Sequence, residues 1–358
     1  MIDNQNEEPD DEREVSSRSI TKLDNVLFSR HFQNNHTLQQ SILPTSLNPP
    51  PPLNELHNPP HTSFNTLPNS DSLTTYQNSR YPINICNINI RGFNDPTKQF
   101  QFLDHCERNN FDIVGLSELH FSSSSATRSK TFTNHPKYDF YWSIENSDNL
   151  TAGGVGLIIN KHLSRHVQSH KNFKGRLVYV DLNFKSNVKL RIIQIYNPPK
   201  HRKLLSEEIY YQLKNYIIEG QNKRFHVIVM GDFNEHMNEY HDRLTNGLSV
   251  QHSKFNFLRL MNRYNLLNTI EQFNSPPFNP TWNNKTRIDG TYMPRFLIGH
   301  TAMAMIDQGP TNFPTDHAMV ITKIKRDLIF KLNKQRTKRC GKNNQRRIFQ
   351  LQNMSEED

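Results

Sequence analysis

Residues 81–324 predict an α/β (α+β) fold, a four-layer sandwich of two mainly antiparallel β-sheets packed face to face and flanked by helices. Three observations support this. Four runs with strand character follow one another closely between positions 138 and 196. Three helical segments interrupt the strands without alternating with them one for one, as a purely parallel doubly wound sheet would demand. The stretch is also a normal size for one domain.

The elements read as follows. YPINICNINIRGF, from Tyr81, alternates Ile with polar residues and reads as a strand ending near Gly92. Asp95 can cap a helix with Pro96 at its first position, and that helix should bury Phe100, Leu103 and Cys106. FDIVGLSE (111–118) is a second strand, and YDFYWSI, GGVGLIIN, RLVYVDLNF and VKLRIIQIY are four more. In SEEIYYQLKNYIIEG, Ser206 is the expected cap, Ile209, Leu213, Tyr216 and Ile217 form the inner face, and Gly220 closes the helix. FHVIVMGDFN is the next strand. SKFNFLRLMNRYNLLN is a helix with Phe257, Leu260, Met261 and Tyr264 inward, and RIDGTYM and HAMVITKI are the final strands.

The flanks differ in composition. Hydrophobic residues make up 34 % of the chain, below the usual globular share, and the deficit is concentrated in residues 1–80. That region holds nine of the twenty prolines and is rich in Asn, Ser, Thr and His, so it buries too little to offset chain entropy and is expected to be disordered. The net charge is +9, whereas Lys323–Arg347 carries eleven Lys or Arg and one Asp, about +10, so the remainder is near −1. The basicity therefore belongs to a C-terminal tail or linker, 325–358. Such a tail suits phosphate backbones, nuclear import or a solvated connection. Cys86, Cys106 and Cys340 are few, odd in number and far apart, and suggest neither a disulfide framework nor a zinc knuckle. The acidic N-terminus does not read as a signal peptide, and no run approaches a membrane span. The expectation is an intracellular protein, plausibly nuclear and not secreted, that makes no membrane contact, takes no organic cofactor and is assumed monomeric.

Polar residues collect at the strand ends: Asn89, Glu118, Tyr196, Asp232 with Asn234, Asp289, and Asp316 with His317. Each alone has a plainer reading, such as a turn amide, an edge charge or a structural histidine. If the sheets share a rim, however, these residues converge there. Carboxylates with an amide and waters suit Mg²⁺ rather than zinc. There is no H-E-x-x-H, no G-x-S-x-G and no G-x-x-x-x-G-K. The set supplies what metal-supported phosphodiester hydrolysis needs: a charge-neutralising ion, a group to hold the attacking water, a grip on the phosphate oxygens and a stabiliser of the leaving oxygen.

INIRG, LSELH, IYNPP, GDFN, RIDG and TDH occur in this order between Ile83 and Ile324. They resemble the motifs of the endonuclease/exonuclease/phosphatase superfamily, with the deoxyribonuclease-I-like fold. Within it the chain is most similar to the apurinic-type endonuclease domain of LINE-type retrotransposons. The resemblance implies Mg²⁺ as cofactor, with Mn²⁺ as an alternative, and DNA as partner. It places Asn89, Glu118 and Asp316 on the metal side and Tyr196 against the scissile phosphate. Asp232 would orient or deprotonate water, Asn234 would position water or phosphate, and Asp289 would support a cationic His317. Thr281 would match a threonine near the DNA, Arg287 would bind phosphate or form a salt bridge, and Trp282 would stack on a base or pack in the core. The chain departs from the pattern at Ser117, where Gln is usual, which predicts lost support for the Glu118 carboxylate, at Arg91, in place of Asn or Asp, which predicts an altered metal environment, and at Gly290-Thr291, which predict a looser aspartate–histidine pairing. Two alternatives remain: a degenerate mobile-element remnant that only binds nucleic acid, and a same-fold phosphodiesterase acting on RNA, phosphoinositide or sphingolipid.

Overall fold

The computed structural model describes residues 82–121, 130–144, 153–184, 188–199, 201–308 and 314–326. The expected disordered region and nearly all of the basic tail lie outside them. The described residues divide into two units, one made of 82–237 with 255–326 and the other of Asn238–Lys254.

Chain order in the larger unit is β1 (Ile83–Asn89), α1 (Pro96–Arg108), β2 (Ile113–Ser117), β3 (Tyr138–Ser143), β4 (Val155–Asn160), α2 (Lys161–Ser164), β5 (Val167–Phe173), β6 (Leu177–Asn183), β7 (Lys189–Tyr196), α3 (Lys203–Asn222) and β8 (His226–Asp232). After α4 (Met237–Thr245) come α5 (Asn256–Arg263), β9 (Leu266–Asn268), α6 (Thr269–Phe273), β10 (Asp289–Pro294), α7 (Arg295–Ile298), β11 (Thr301–Asp307) and β12 (Met319–Ile324). The strands form two six-stranded sheets, ordered β11-β12-β1-β2-β4-β3 and β5-β6-β7-β8-β10-β9. Each contains one parallel pair, β1 with β2 and β7 with β8, and the other pairings are antiparallel. In the smaller unit, α4 leads to a 3₁₀ turn, and Glu239 pairs with Arg243 at 3.1 Å and Lys254 at 2.6 Å.

Alternation along the strands assigns the layers. In β1, Ile83 and Ile85 face the other sheet and join Val178, Val180, Ile192, Ile228 and Met230 in the inter-sheet core. Cys86 and Ile88 face outward and pack with Phe102, Leu103 and Cys106 of α1. The opposite outer face is covered by α3, through buried Ile209, Leu213, Tyr216 and Ile217, and Tyr210 of α3 meets Phe257 of α5 with ring centroids 5.9 Å apart. The core between the sheets changes character along the strands. It is aliphatic near Ile83, but Asn87 Nδ2 donates to Thr291 Oγ1 at 2.8 Å, and Asn89 Nδ2 donates to Asp232 Oδ2 at 3.1 Å. Burying polar groups is costly, so this polar end marks the rim where the sheets hold functional groups.

Several local expectations are corrected. Asp95 does cap α1, its Oδ1 accepting from Thr97 N at 2.9 Å, but Phe100 is exposed and Phe102 is buried instead, because the inner face runs through 99, 102, 103 and 106. Ser206 is not a cap. α3 begins a turn earlier, and the Ser206 hydroxyl donates to Asn197 Oδ1 at 2.9 Å. Gly220 does not end α3 but lies inside it, where a Cβ would stand 2.8 Å from Val227 Cγ2. Tyr264 follows α5 and is half-buried. The strands β5, β9 and β11 were not foreseen. β5 is a polar, exposed edge strand, β9 has only three residues, and both escape a hydrophobic-pattern reading.

Gly115 on β2 has no room for a side chain: a Cβ would lie 1.9 Å from Gln194 Oε1 and 2.9 Å from Met230 Cε, both reaching across from the other sheet. Gly115→Ala is therefore expected to lower unfolding free energy by about 1–3 kcal/mol through overpacking, read as a reduced urea midpoint at unchanged slope.

Candidate active site

Strand direction brings six scattered segments to one rim. β1 and β2 run parallel and end there with Asn89 and, one residue past β2, Glu118. β7 and β8 run parallel and end at Tyr196 and Asp232, which are register partners. β10 is antiparallel to β8 and starts there, with Asp289 opposite Asp232. β12 is antiparallel to β1, so His317, two residues before its start, lies at the same end. Arg91, Glu118, Asp232, Asn234, Asp316 and His317 line a shared cleft of about 330 Å³.

Local backbone features aim these side chains. Glu118 and Asn234 adopt left-handed conformations, with φ +56 and +49, where the chain turns off β2 and β8. Such φ values are uncommon for residues other than glycine. Asp232 Oδ1 accepts from Asn234 N at 2.9 Å, and Asn234 Nδ2 donates to Asn197 O at 2.6 Å. Asn89 Oδ1 accepts from Arg91 N at 3.0 Å, leaving its amide nitrogen for Asp232. The Tyr196 hydroxyl donates to Glu118 Oε1, and the Arg176 guanidinium lies 4.7 Å from the centre of the Tyr196 ring. Asp289 Oδ2 meets His317 Nδ1 at 2.8 Å, with both side chains buried. The looser pairing expected from Gly290-Thr291 is not found. Glu118 takes its side-chain hydrogen bond from the Tyr196 hydroxyl, and Ser117 is held separately by Gln194, which reaches over from β7 and donates to its hydroxyl at 3.0 Å.

The expected substrate contacts divide three ways. Arg287 is corrected: its side chain is 0 % exposed, it pairs with Glu271 at 2.7 Å and packs on Phe278, and it cannot reach a ligand in the cleft. Thr281 is also buried, and its hydroxyl accepts from Ile288 N and Asp289 N, both at 3.0 Å, which fixes the start of β10. Trp282 is exposed at the cleft mouth, bridged to His317 through the backbone, and its Nε1 donates to Asp316 Oδ2 at 3.2 Å. Pro199, His236, Thr286 and Ile288 also line the cleft and were missed. Asn197 was legible in principle, because it sits in the IYNPP run already singled out.

Electrostatics separates the roles. Burial, with Asp289 close by, pushes the Asp232 carboxyl up to about 8, against the pull of His317 and the bonds from Asn234 and Asn89. Burial disfavours the His317 cation, but the Asp289 charge and hydrogen bond outweigh it and raise the imidazole to about 9. Burial and then the Glu118 charge hold the Tyr196 phenol far above the ordinary tyrosine range, so it stays a donor. Ligand atoms of Asp232, Asp289 and His317 lie within 4.8 Å of one another. His317 Nδ1 is already engaged with Asp289, so this trio is better suited to holding protons than an ion. Glu118 and Asp316, half-buried and open to the cleft, are hard oxygen donors that fit a divalent ion of the Mg²⁺ type.

The fold is shared with solved nucleases of low sequence identity. The apurinic/apyrimidinic endonuclease LMAP of Leishmania major superposes with a TM-score of 0.56 at 13 % identity, over 72 % of this chain and 90 % of that one. The 3′-5′ exonuclease NExo of Neisseria meningitidis gives 0.52 at 15 % identity, over 68 % and 99 %. A Neisseria NExo variant described as a 3′ phosphatase bound to a product DNA hairpin gives 0.52 at 14 % identity, over the same shares. A search of curated proteins finds no match. The model of the Endonuclease/Exonuclease/phosphatase family matches residues 86–317, more than half of the chain and every segment of the rim. The chain belongs to that family.

Proposed function

We propose that the chain is a Mg²⁺-dependent DNA endonuclease of LINE-retrotransposon type that cleaves a phosphodiester by direct attack of water, with no covalent intermediate. One observation carries this reading: a buried aspartate–histidine pair adjoins a second buried carboxylate, Asp232, in the cleft that Glu118 and Asp316 also line. Family enzymes generally use divalent metals. Glu118 and Asp316, with Asn89 beside them, would hold the ion, which when bound neutralises charge developing on the phosphate.

The chain's own residues do the rest. Asp232, held by Asn89 and by the Asn234 amide, orients water and takes its proton. The rise of its carboxyl to about 8 makes it a stronger base than an ordinary carboxylate, one that acts as pH approaches that value. His317 has Nδ1 engaged by Asp289 and is kept cationic, so Nε2–H remains to grip a phosphate oxygen. Tyr196, a neutral phenol on Glu118, supports the same phosphate, and Trp282 at the mouth offers an aromatic face to a flanking base.

The substrate class is tested by product analysis with the full chain on supercoiled plasmid, poly(A) and phosphoinositide vesicles under Mg²⁺. The expected outcome is plasmid nicking with little turnover of the other two. Preferential release from poly(A) or the vesicles would replace DNA as the substrate.

A further inference from the structure

Arg91 is the only Lys or Arg that lines the active cleft among the described residues. The neighbouring cation, His317, is buried and committed to Asp289, whereas the Arg91 side chain is 64 % exposed. Its backbone is fixed: φ is +48, and the amide is held by Asn89 Oδ1 at 3.0 Å, so the guanidinium rises from a defined point next to the Asn89–Asp232 pair. The only ion pair it makes among the described residues is with Asp316 Oδ2, and at 3.7 Å it is loose. Asp316 does not depend on it, since the same carboxylate accepts from Trp282 Nε1 at 3.2 Å, and its backbone oxygen accepts from Asn283 N at 2.7 Å. Arg91 can therefore leave without disturbing Asp316.

From this we infer that Arg91 is a second phosphate-gripping residue of the cleft beside His317, held in reserve on Asp316. Asp316 would hold the divalent ion together with Glu118, and the Arg91 guanidinium, no longer paired with it, would then be free to meet a non-bridging oxygen of the substrate phosphodiester. The chemistry is that of any anionic phosphodiester, which a planar guanidinium meets with two donors. The inference rests on the proposed metal-dependent hydrolysis and adds a competition to it, in which Arg91 and the ion share one carboxylate and occupy it in turn.

The competition gives Arg91→Ala two opposite effects. Without the guanidinium, Asp316 is freed for metal, so Mn²⁺ should bind the full-length protein several-fold more tightly, measured by the loss of the free-ion electron paramagnetic resonance signal without substrate. Loss of a charge-assisted hydrogen bond to the phosphate should raise KM for plasmid nicking by at least about tenfold, with a much smaller change in kcat. Arg91→Lys should restore part of the KM and the weaker Mn²⁺ binding. Unchanged Mn²⁺ affinity together with unchanged KM in Arg91→Ala would overturn the proposal and leave Arg91 a solvated surface charge. The proposed activity fails in a different way: a wild-type protein that binds Mn²⁺ but nicks nothing would sink the nuclease reading, while the Mn²⁺ comparison would still decide the competition for Asp316.

Discussion

His317→Ala is expected to lower kcat for DNA nicking by about 10²–10³-fold, the loss typical of removing one preorganised donor aimed at developing charge. The imidazole is 7 % exposed, and its Nδ1 is fixed by Asp289 at 2.8 Å, so it pays no reorganisation when charge appears on the phosphate. Asp289→Asn should produce much of the same loss, because an amide in that place no longer holds the imidazolium. The pH dependence follows with a definite sign. Only charged His317 is useful, so the rate should fall as pH rises through about 9. The residual activity of His317→Ala should lack that limb. Stability carries the same signature. The folded value lies above the ordinary 6.5, so the contribution of His317 is fully present below about 6.5 and is lost as pH climbs through about 9. Chemical unfolding of wild type and His317→Ala across that window should show the difference shrinking with pH.

Asp232→Asn is expected to cost about 10²–10⁴-fold in kcat, the usual range for losing a general base. The substitution keeps the shape and an oxygen for the Asn234 amide but cannot take up a proton. It removes the rising limb of the profile. Burial and the neighbouring Asp289 hold the wild-type carboxyl protonated until pH approaches about 8, so activity should climb through that region before His317 begins to discharge. The two limbs belong to one buried cluster and titrate together. The expected shape is therefore a narrow alkaline optimum, lost on its acid side in Asp232→Asn and on its alkaline side in His317→Ala.

Much of this site is legible in the amino-acid sequence, because its residues lie at the ends of strands. Asn89, Tyr196 and Asp232 end runs of apolar and β-branched residues, Glu118 follows such a run, and strand direction alone then places them on one rim. What the chain could not show was the partner of each group. Nothing local to Thr281 or Arg287 distinguishes a hydroxyl that fixes the start of β10, or a guanidinium buried on Glu271, from groups that touch substrate. The support from Gln194 to Ser117 spans 77 residues and depends on the facing of two sheets, which no window of sequence contains. Edge strands were lost for the opposite reason: β5 presents a row of exposed polar side chains and has no hydrophobic period to detect.

Plasmid nicking by the full chain, with Mg²⁺ or with EDTA, comparing wild type, His317→Ala and Asp232→Asn, decides whether this rim is a hydrolytic centre. Wild type should convert supercoiled to open-circular DNA only when metal is present, and both variants should fall below about 1 % of that rate. Equal nicking by all three proteins, or nicking that persists in EDTA, would show that the cleft around Asp232 and His317 does not perform the reaction.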